Sequence, residues 1–177
     1  MSRCLILTER LCLRRWIDSD NKPFIEMNKD RDVMEYFPNH LTDSESLKLI
    51  DRINSSFENN GFGLFAVENK STNEFIGFTG FSIPQFEAFF TPCVEIGWRF
   101  KKQHWGLGFA TEAAEACIQF GFTTLGFDRI VSFTAAINKK SEQVMRRIGM
   151  SYITEFNHPK MESSDRLCRH VLYEILK

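Results

Sequence analysis

The chain has 177 residues, of which 43% are hydrophobic and 25% are charged, and its formal net charge at pH 7 is −1. This composition excludes wholesale disorder, and the near-neutral charge excludes bulk electrostatic attraction as a basis for binding nucleic acid or membranes. The length suits one well-cored domain and is short for two, so we expect a single domain over residues 1–177.

The hydrophobic pattern and the cysteines predict the cellular compartment. No segment approaches the ~20 apolar residues of a membrane span, and the apolar run at the start is too short for a signal-peptide core. The five cysteines are odd in number and form no CxxC pair: Cys4, Cys12, Cys93, Cys117 and Cys168. We therefore expect reduced thiols in a cytoplasmic protein, without a disulfide framework or a metal site.

The first third of the chain predicts one strand followed by helices. Residues 4–16 are apolar with partial alternation, which is typical of a strand, here with a kink. Asp18 or Asp20 can cap a short helix. Thr42, followed three residues later by a glutamate, is the capping-box pattern, and it predicts a helix that ends before Gly61.

The rest of the chain predicts a hairpin and then alternating strands and helices. The predicted strands are 62–69, 74–83, 91–100, 128–136, 150–156 and 168–175, and the predicted helices are 107–122 and 138–148. This order predicts an α/β fold with a mixed, mostly antiparallel sheet of about six to seven strands and about four helices.

The stretch QHWGLGFATEA, residues 103–113, is a candidate anion site. Gly106 and Gly108 leave the backbone uncovered, and a helix begins directly after them. The N–H groups of the loop and the positive end of the helix dipole then point the same way, which favours a phosphate. The alternative is a tight strand-to-helix turn with a small-residue packing face, which the loop by itself does not exclude.

The strand before this loop adds a second indication. Gly97 interrupts a strongly β-favouring run and indicates a bulge or a close backbone approach. A bulge would splay this strand from its neighbour, and a ligand that carries amide groups could lie along the unpaired backbone. A pyrophosphate at the loop together with an amide-bearing arm along the strand describes coenzyme A.

A dinucleotide-binding loop is the competing phosphate site. It requires a small third residue where this chain has Thr111, and an acidic residue at the end of the next strand. Asp128 lies at about the right distance but begins its strand. Both features disfavour a Rossmann fold.

The segments EIGWRFKKQHWGLGFATEA and INKKSEQVMRRIGM resemble the GNAT superfamily of acetyl-CoA-dependent N-acetyltransferases, in particular the branch of ribosomal-protein N-terminal acetyltransferases. The family's pyrophosphate loop has Gln or Arg, two residues, Gly, one residue, then Gly or Ala; Gln103, Gly106 and Gly108 match it. The ends of the chain, TERLCLRRW with DRDVMEYFP and FNHPKM with LCRHVLYEI, resemble the same branch. The resemblance implies a GNAT fold with splayed central strands, acetyl-CoA as co-substrate, no metal, and direct transfer to an amine.

The resemblance also implies which residues bind acetyl-CoA. They belong to the splayed strand, the loop, the start of the next helix and the last helix: Ile96, Gly97, Trp98, Arg99, Phe100, Gln103, His104, Trp105, Gly106, Leu107, Gly108, Phe109, Ala110, Thr111, Asn138, Ser141 and Met145. Backbone N–H groups near Ile96–Trp98 would stabilise the thioester oxygen.

Asn138 and Ser141 lie one turn apart at the start of the last helix. In the family pattern the asparagine contacts the coenzyme arm and the residue one turn on lies near the sulfur, so Ser141 is the candidate general acid. Asn138 is equally well explained as a helix N-cap. Many family members have a tyrosine where this chain has Met145, so the acid is Ser141, a water or nothing.

Glu95 and His158 are the candidates for the general base. Glu95 lies on the splayed strand and faces away from Ile96 and Trp98. His158 follows the penultimate strand, and an unperturbed histidine pKa of about 6.5 suits the task. The alternatives are an ion-pair role for Glu95 and a turn-forming role for His158; His170 is expected to be structural.

The absence of an obvious strong base favours an acceptor amine of low pKa. An α-amino group with a pKa of about 8 is about a tenth neutral at pH 7, whereas a lysine with a pKa of about 10.4 is almost fully protonated. We expect a peptide or protein N-terminus as acceptor, in a site shaped by the two N-terminal helices and residues 86–90 and 156–161, and a monomer or homodimer. The alternatives are a small-molecule amine as acceptor and an acyl-CoA-binding module that has lost catalysis.

Overall fold

The computed structural model describes residues 4–177, and these form one open sheet of eight strands with four α-helices. The strands are β1 (Cys4–Leu7), β2 (Leu11–Arg14), β3 (Leu64–Asn69), β4 (Glu74–Ser82), β5 (Glu95–Phe100), β6 (Arg129–Ala135), β7 (Ser151–Asn157) and β8 (Arg169–Leu176). The helices are α1 (Asn21–Lys29), α2 (Asp43–Asn60), α3 (Phe109–Thr123) and α4 (Lys139–Arg147). The order across the sheet is β1-β2-β3-β4-β5-β6-β8-β7, and only the β5–β6 pair is parallel among the described strands.

The predicted fold class is confirmed, but the sheet is larger than the six to seven strands expected. Residues 4–16 form two antiparallel strands because the chain turns at Thr8. The Thr8 hydroxyl accepts a hydrogen bond from the backbone N–H of Leu11 at 2.9 Å, and the Thr8 N–H donates to the Leu11 carbonyl at 3.0 Å. This local side-chain contact replaces the continuous strand that the apolar pattern indicated.

The expectation of five reduced thiols was wrong. Cys4 and Cys12 form a disulfide with their Cα atoms 5.5 Å apart, because antiparallel pairing of β1 with β2 brings them together. Cys93, Cys117 and Cys168 are free. Within residues 4–177, no helix is both long enough and apolar enough to span a membrane.

Asp20 does not cap α1 with its side chain. Its carboxylate instead accepts hydrogen bonds from Arg14 at 2.6 and 2.9 Å, and Glu68 accepts one from Arg14 at 2.9 Å. All three side chains are buried. The buried guanidinium is therefore fully paired, and it ties β2 to β3 and to the turn before α1.

The predicted capping box of α2 is confirmed. The Thr42 hydroxyl accepts from the N–H of Glu45 at 3.2 Å, and the Glu45 carboxylate accepts from the N–H of Thr42 at 2.8 Å. The helix ends at Gly61, whose φ of 78° lies in the left-handed region that glycine enters without strain.

Different helices cover the two faces of the sheet. Phe24 of α1 packs against Phe78 of β4 with 6.0 Å between ring centroids, whereas Phe120 of α3 packs against Phe65 of β3 at 6.1 Å. Side chains alternate between the faces of a strand. Since Phe78 lies opposite Arg99 in the register, the α1 face of β5 carries Glu95, Gly97 and Arg99, and the α3 face carries Ile96, Trp98 and Phe100.

The central strands are splayed, although not by the expected bulge. Gly97 lies opposite Gly80 with no register shift between β4 and β5. The separation lies on the other side of β5, where the described register with β6 contains the single pair Glu95–Val131. Beyond that pair β5 diverges from β6, which leaves a gap in the middle of the sheet.

Candidate active site

The loop between β5 and α3 has the backbone of an anion site. Gly106 and Gly108 adopt φ values of 75° and 80°, and no side chain caps the start of α3. Within residues 4–177, the N–H groups of Gly106, Leu107 and Gly108 donate to no protein acceptor. A Cβ built on Gly106 would meet nothing within 4 Å, so an oxyanion can approach these donors and the first turn of α3.

The other residues of this segment support the loop. Gln103 and His104 lie in a single 3-10 turn with their Nε2 atoms 3.4 Å apart. Burial, followed by the charge of Lys101, lowers the pKa of His104. Trp105 lies under the Lys140 ammonium, which is 4.4 Å from the indole ring. Phe109, Ala110 and Thr111 form the first turn of α3.

Arg10, in the β1–β2 turn, holds the loop in place. Its Nη1 donates to the Leu107 carbonyl at 2.9 Å, and its Nε donates to Glu112 in the first turn of α3 at 2.6 Å. The guanidinium lies 4.5 Å from the centre of the Phe109 ring. Sequence reasoning did not identify Arg10, because 97 positions separate it from Leu107 and no local pattern joins them.

In the gap beside β5, backbone groups of β5 lack hydrogen-bond partners from the backbone of β6. The carbonyl of Ile96 accepts from Ser132 Oγ at 2.9 Å, and the carbonyl of Phe100 accepts from Trp105 Nε1 at 2.8 Å, instead of from β6 backbone. The N–H and C=O of one strand residue point the same way, and this direction alternates along the strand. The N–H of Trp98 therefore also points into the gap, where the described β6 register gives it no partner.

The start of α4 lies at the end of β6. Asn138 accepts from the N–H of Ser141 at 3.2 Å and donates through Nδ2 to Thr134 at 3.0 Å, so it is the helix N-cap. The Ser141 hydroxyl is half-buried and makes no hydrogen bond within the described residues. Met145 is 1% exposed and belongs to the hydrophobic core.

Glu95 is the strongly perturbed acid of the site. Its half-buried carboxylate accepts a hydrogen bond from Ser82 Oγ at 3.2 Å. Burial raises the pKa of Glu95 to about 7, and the Ser82 hydrogen bond opposes this shift only in part. The carboxyl group is thus close to half-ionised at neutral pH, which suits a general base.

His158 lies in an aromatic cluster on the same face as Glu95. Its ring is 4.8 Å from Phe86 and 6.1 Å from Phe133, and its Nδ1 accepts from the Lys160 N–H at 3.2 Å. Burial first, then the charges of His170 and Lys160, lower the pKa of His158 to about 4. His158 is therefore neutral at physiological pH and a weak base.

The predicted site residues fall into two groups on opposite faces of the sheet around the gap. Glu95 and His158 lie on the α1 face, because Glu95 pairs with Val131 and the ring of Phe133, two residues further along β6, contacts His158. The glycine loop and the start of α4 lie toward the α3 face. His170 is buried with its Nδ1 3.2 Å from the Cys168 carbonyl, as expected of a structural residue.

Neither Cys93, which precedes β5, nor Cys117, which lies in α3, is an activated thiol. Burial, assisted by the charge of Glu95, raises the pKa of Cys93 to about 11, and burial also raises the pKa of Cys117. Thiols that stay protonated are poor nucleophiles. Within residues 4–177, no group of three or more His, Cys, Asp or Glu side chains is placed to hold a metal ion.

Comparison with known families agrees with this geometry. A family model described as an acetyltransferase (GNAT) domain matches residues 10–151. The chain belongs to this family of acetyl-CoA-dependent N-acetyltransferases.

Two proteins of Bacillus subtilis (strain 168) are related in sequence. The uncharacterized protein YkkB is 32% identical over 158 residues, which cover 87% of this chain and 91% of YkkB. The uncharacterized N-acetyltransferase YnaD is 30% identical over 145 residues, which cover 82% of this chain and 81% of YnaD.

Solved structures share the fold. A GNAT acetyltransferase from Bacillus anthracis has a TM-score of 0.80 and 27% identity, with 97% of both chains covered. Ribosomal-protein-S5-alanine acetyltransferase from Vibrio fischeri has a TM-score of 0.77 and 17% identity, with 96% of this chain and 94% of that chain covered. Spermidine N-acetyltransferase from Vibrio cholerae, in complex with CoA and spermine, has a TM-score of 0.75 and 20% identity, with 96% of each chain covered.

Proposed function

We propose that the chain transfers the acetyl group of acetyl-CoA directly to the α-amine of a peptide or protein N-terminus, with Glu95 as the general base. The observation that carries this proposal is the Glu95 carboxylate. It lies on the α1 face of the splayed strand, and burial brings its pKa to about 7.

Acetyl-CoA would be held by backbone groups for the most part. The unpaired N–H groups at Gly106–Gly108 and the start of α3 suit the pyrophosphate, and the Trp98 N–H suits the thioester oxygen. Asn138 and Ser141, at the start of α4, belong to the same proposed site, and Met145 supports it from the hydrophobic core. The coenzyme supplies the acetyl group as a thioester.

Residues of the chain transfer the protons of the reaction. A C–N bond forms between the amine and the acetyl carbon, and the C–S bond of the thioester breaks. Glu95 takes one proton from the ammonium, so that the neutral amine attacks the thioester. The second proton, which the nitrogen loses as the C–N bond forms, passes to the departing thiolate by relay: the Ser141 hydroxyl, which makes no hydrogen bond within the described residues, gives its proton to the sulfur as it receives this one, or water does so.

The pKa of Glu95 favours an α-amine over a polyamine or lysine. Transfer from an ammonium of pKa about 8 to a base of pKa about 7 costs about 1.4 kcal/mol, whereas an ammonium of pKa about 10.4 costs about 4–5 kcal/mol. The side chains that pack around His158 on this face are uncharged aromatic rings, and a polycation would find one exposed acid, Glu87, in the loop that carries two of them: Phe86, Phe90, Phe133 and Phe156. The similarity to structures named for ribosomal proteins and for spermidine does not choose between these acceptors.

The proposal covers domain organisation and location as well. One GNAT domain over residues 1–177 is supported by the single sheet that runs from Cys4 to Leu176. A cytoplasmic location is supported by three free cysteines, two of them buried, and opposed by the Cys4–Cys12 disulfide, because disulfides are rare in that compartment. Alkylation of thiols in intact cells, followed by mass spectrometry of Cys4 and Cys12, tests the location.

The activity is tested by the loss of thioester absorbance when acetyl-CoA is mixed with amines. The panel contains short peptides with different first residues, free amino acids, lysine side-chain peptides, polyamines and aminoglycosides. Turnover of α-amines above all others supports the proposal. Turnover of polyamines alone overturns the acceptor assignment, and calorimetric binding of acetyl-CoA without any turnover favours a binding module.

A further inference from the structure

Arg99 carries a positive charge on the acceptor side of the site. It projects from the α1 face of β5, two residues from Gly97 and four from Glu95. Its Nη1 donates to Asn28 Oδ1 at 2.6 Å. Asn28 is fully buried and is itself held by Ser46 of α2, whose Oγ accepts from Asn28 Nδ2 at 3.0 Å.

The charge of Arg99 has no counter-ion within residues 4–177. Its Nε is buried and has no hydrogen-bond partner among the described residues, and the one polar contact that these residues make with its guanidinium is the neutral amide of Asn28. Burial lowers the pKa of Arg99 to about 10, so the group stays protonated at neutral pH. Arg14, the other arginine deep in this fold, is paired with Asp20 and Glu68.

Aromatic rings fix the plane of the guanidinium. Phe37 lies 4.0 Å and Phe78 lies 5.3 Å from it, measured from Cζ to the ring centroids. The segment that carries Phe37 is tied down, because Arg166 of the β7–β8 loop donates to the Glu35 carbonyl at 2.6 Å. Within residues 4–177, Nη2 makes no hydrogen bond and is not among the buried unpaired atoms, so a planar cation beside two rings can offer Nη1 and Nη2 together to an oxyanion.

We propose that Arg99 binds an anionic group of the acceptor, so that the preferred substrate is a peptide with a carboxylate a few residues from its reacting amine. This inference rests on the proposed function, since it names the acceptor of the same site. Gly97 lies between Glu95 and Arg99, and a Cβ built there would meet nothing within 4 Å. The surface of β5 between the two side chains is therefore open to a peptide.

The strand sets the spacing between amine and carboxylate. Four residues of strand at about 3.3 Å each separate the Cα atoms of Glu95 and Arg99 by about 13 Å. Both side chains project from the same face of β5, and their ends can approach each other. The reacting amine beside Glu95 and the substrate carboxylate beside Arg99 are therefore about 7–13 Å apart. An extended peptide covers this distance in about two to four residues.

The test compares matched peptides in the thioester assay. Ala-Ala-Glu-Ala-amide, Ala-Ala-Gln-Ala-amide and Ala-Ala-Lys-Ala-amide differ only in the charge of residue three, and Ala-Ala-Gln with a free carboxyl terminus tests the other carboxylate source. We expect the wild-type kcat/KM to be about ten- to a hundred-fold higher for glutamate than for glutamine, chiefly through KM, and lowest for lysine.

Three variants assign this preference to Arg99. Arg99→Gln is expected to reduce the glutamate-over-glutamine ratio to about one, and Arg99→Lys to retain part of it. Asn28→Asp places a carboxylate beside Arg99 as an internal counter-ion. It is expected to remove the preference while Arg99 is still present, so it tests the proposal even if Arg99→Gln does not fold. Arg15→Gln, at an exposed arginine paired with Glu58, is the control and should keep the wild-type ratio.

Direct binding separates failure of this inference from failure of the proposed function. Calorimetry with the acidic and neutral peptides in the presence of coenzyme A measures affinity without chemistry. Tighter binding of the acidic peptide that is lost in Arg99→Gln supports the site even if no peptide is acetylated. Equal wild-type affinity and equal turnover for both peptides, or a preference that survives in Arg99→Gln, overturns it.

Discussion

The Ser82 hydroxyl donates to the Glu95 carboxylate at 3.2 Å across the β4–β5 pair. This single hydrogen bond only partly offsets the burial that raises the pKa of Glu95 to about 7. The sheet thereby holds a carboxyl group that changes its charge near neutral pH, on the face where the acceptor is proposed to bind.

Replacing Glu95 by Gln is expected to lower kcat/KM about 10²- to 10⁴-fold, because the variant cannot accept the amine proton. The wild-type kcat/KM should rise with pH through about 7, as the carboxyl group ionises, and Glu95→Gln should lose that rise. Glu115→Gln, at an exposed acid of α3, is the control and should match the wild type. A Glu95→Gln variant with the wild-type pH profile would assign the base elsewhere.

The same substitution is expected to stabilise the protein at alkaline pH. The folded-state pKa of about 7 lies above the ordinary glutamate value of 4.5, so the fold favours the protonated acid and loses stability as pH rises from about 4.5 through 7. Glu95→Gln should gain up to about 3 kcal/mol over the wild type at pH 8 and almost nothing at pH 4.5. Urea unfolding at both pH values measures this, and an equal gain at the two values would contradict it.

Gly106→Ala is expected to weaken acetyl-CoA binding several-fold. A left-handed φ costs an alanine about 1 kcal/mol, and the added methyl group would cover the unpaired N–H groups of the loop. Gly126→Ala is a matched control: its φ of 73° is close to the 75° of Gly106, and neither added Cβ meets an atom within 4 Å. Both variants should lose similar stability by thermal unfolding, but calorimetry should show weaker binding only for Gly106→Ala.

Arg10→Ala is expected to raise the Kd for acetyl-CoA about three- to ten-fold, because the loop loses its tether to the β1–β2 turn. Arg15→Ala is the matched control. Arg15 also pairs with a glutamate, Glu58, at 2.7 Å, and its guanidinium lies 4.5 Å from the centre of the Phe57 ring, but within the described residues it does not contact the loop. Equal effects of the two substitutions on Kd would show that Arg10 contributes only general stability.

Local signals in the sequence were enough to predict several parts of this protein. The Thr42–Glu45 capping box and the left-handed Gly61 at the end of α2 are local features, so they could be identified from residue type and spacing alone. The same holds for the glycine loop ahead of α3 and the N-cap of α4. Hydrophobic period and order then predicted the mixed, mostly antiparallel sheet, whereas the splayed central strands were expected from Gly97 and from the family resemblance.

Other features leave no periodic signal in the sequence. The apolar pattern of residues 4–16 did not reveal the hairpin or its disulfide, because the pattern continues through both strands and the turn depends on the hydrogen bonds between Thr8 and Leu11. Arg14 and Glu68 are 54 positions apart, and Arg99 and Asn28 are 71 apart. Such contacts leave no periodic trace in the sequence.

By itself, the sequence determined the family resemblance, the order of elements and the candidate residues, because propensity, capping and hydrophobic period act over short distances. Only the tertiary structure decided how those candidates differ in chemistry. Burial raised the pKa of Glu95 and lowered that of His158. Among residues 4–177, packing gave Arg14 two counter-ions and Arg99 none. The cost of removing a charge from water depends on everything packed around it, and that packing exists only in the folded chain.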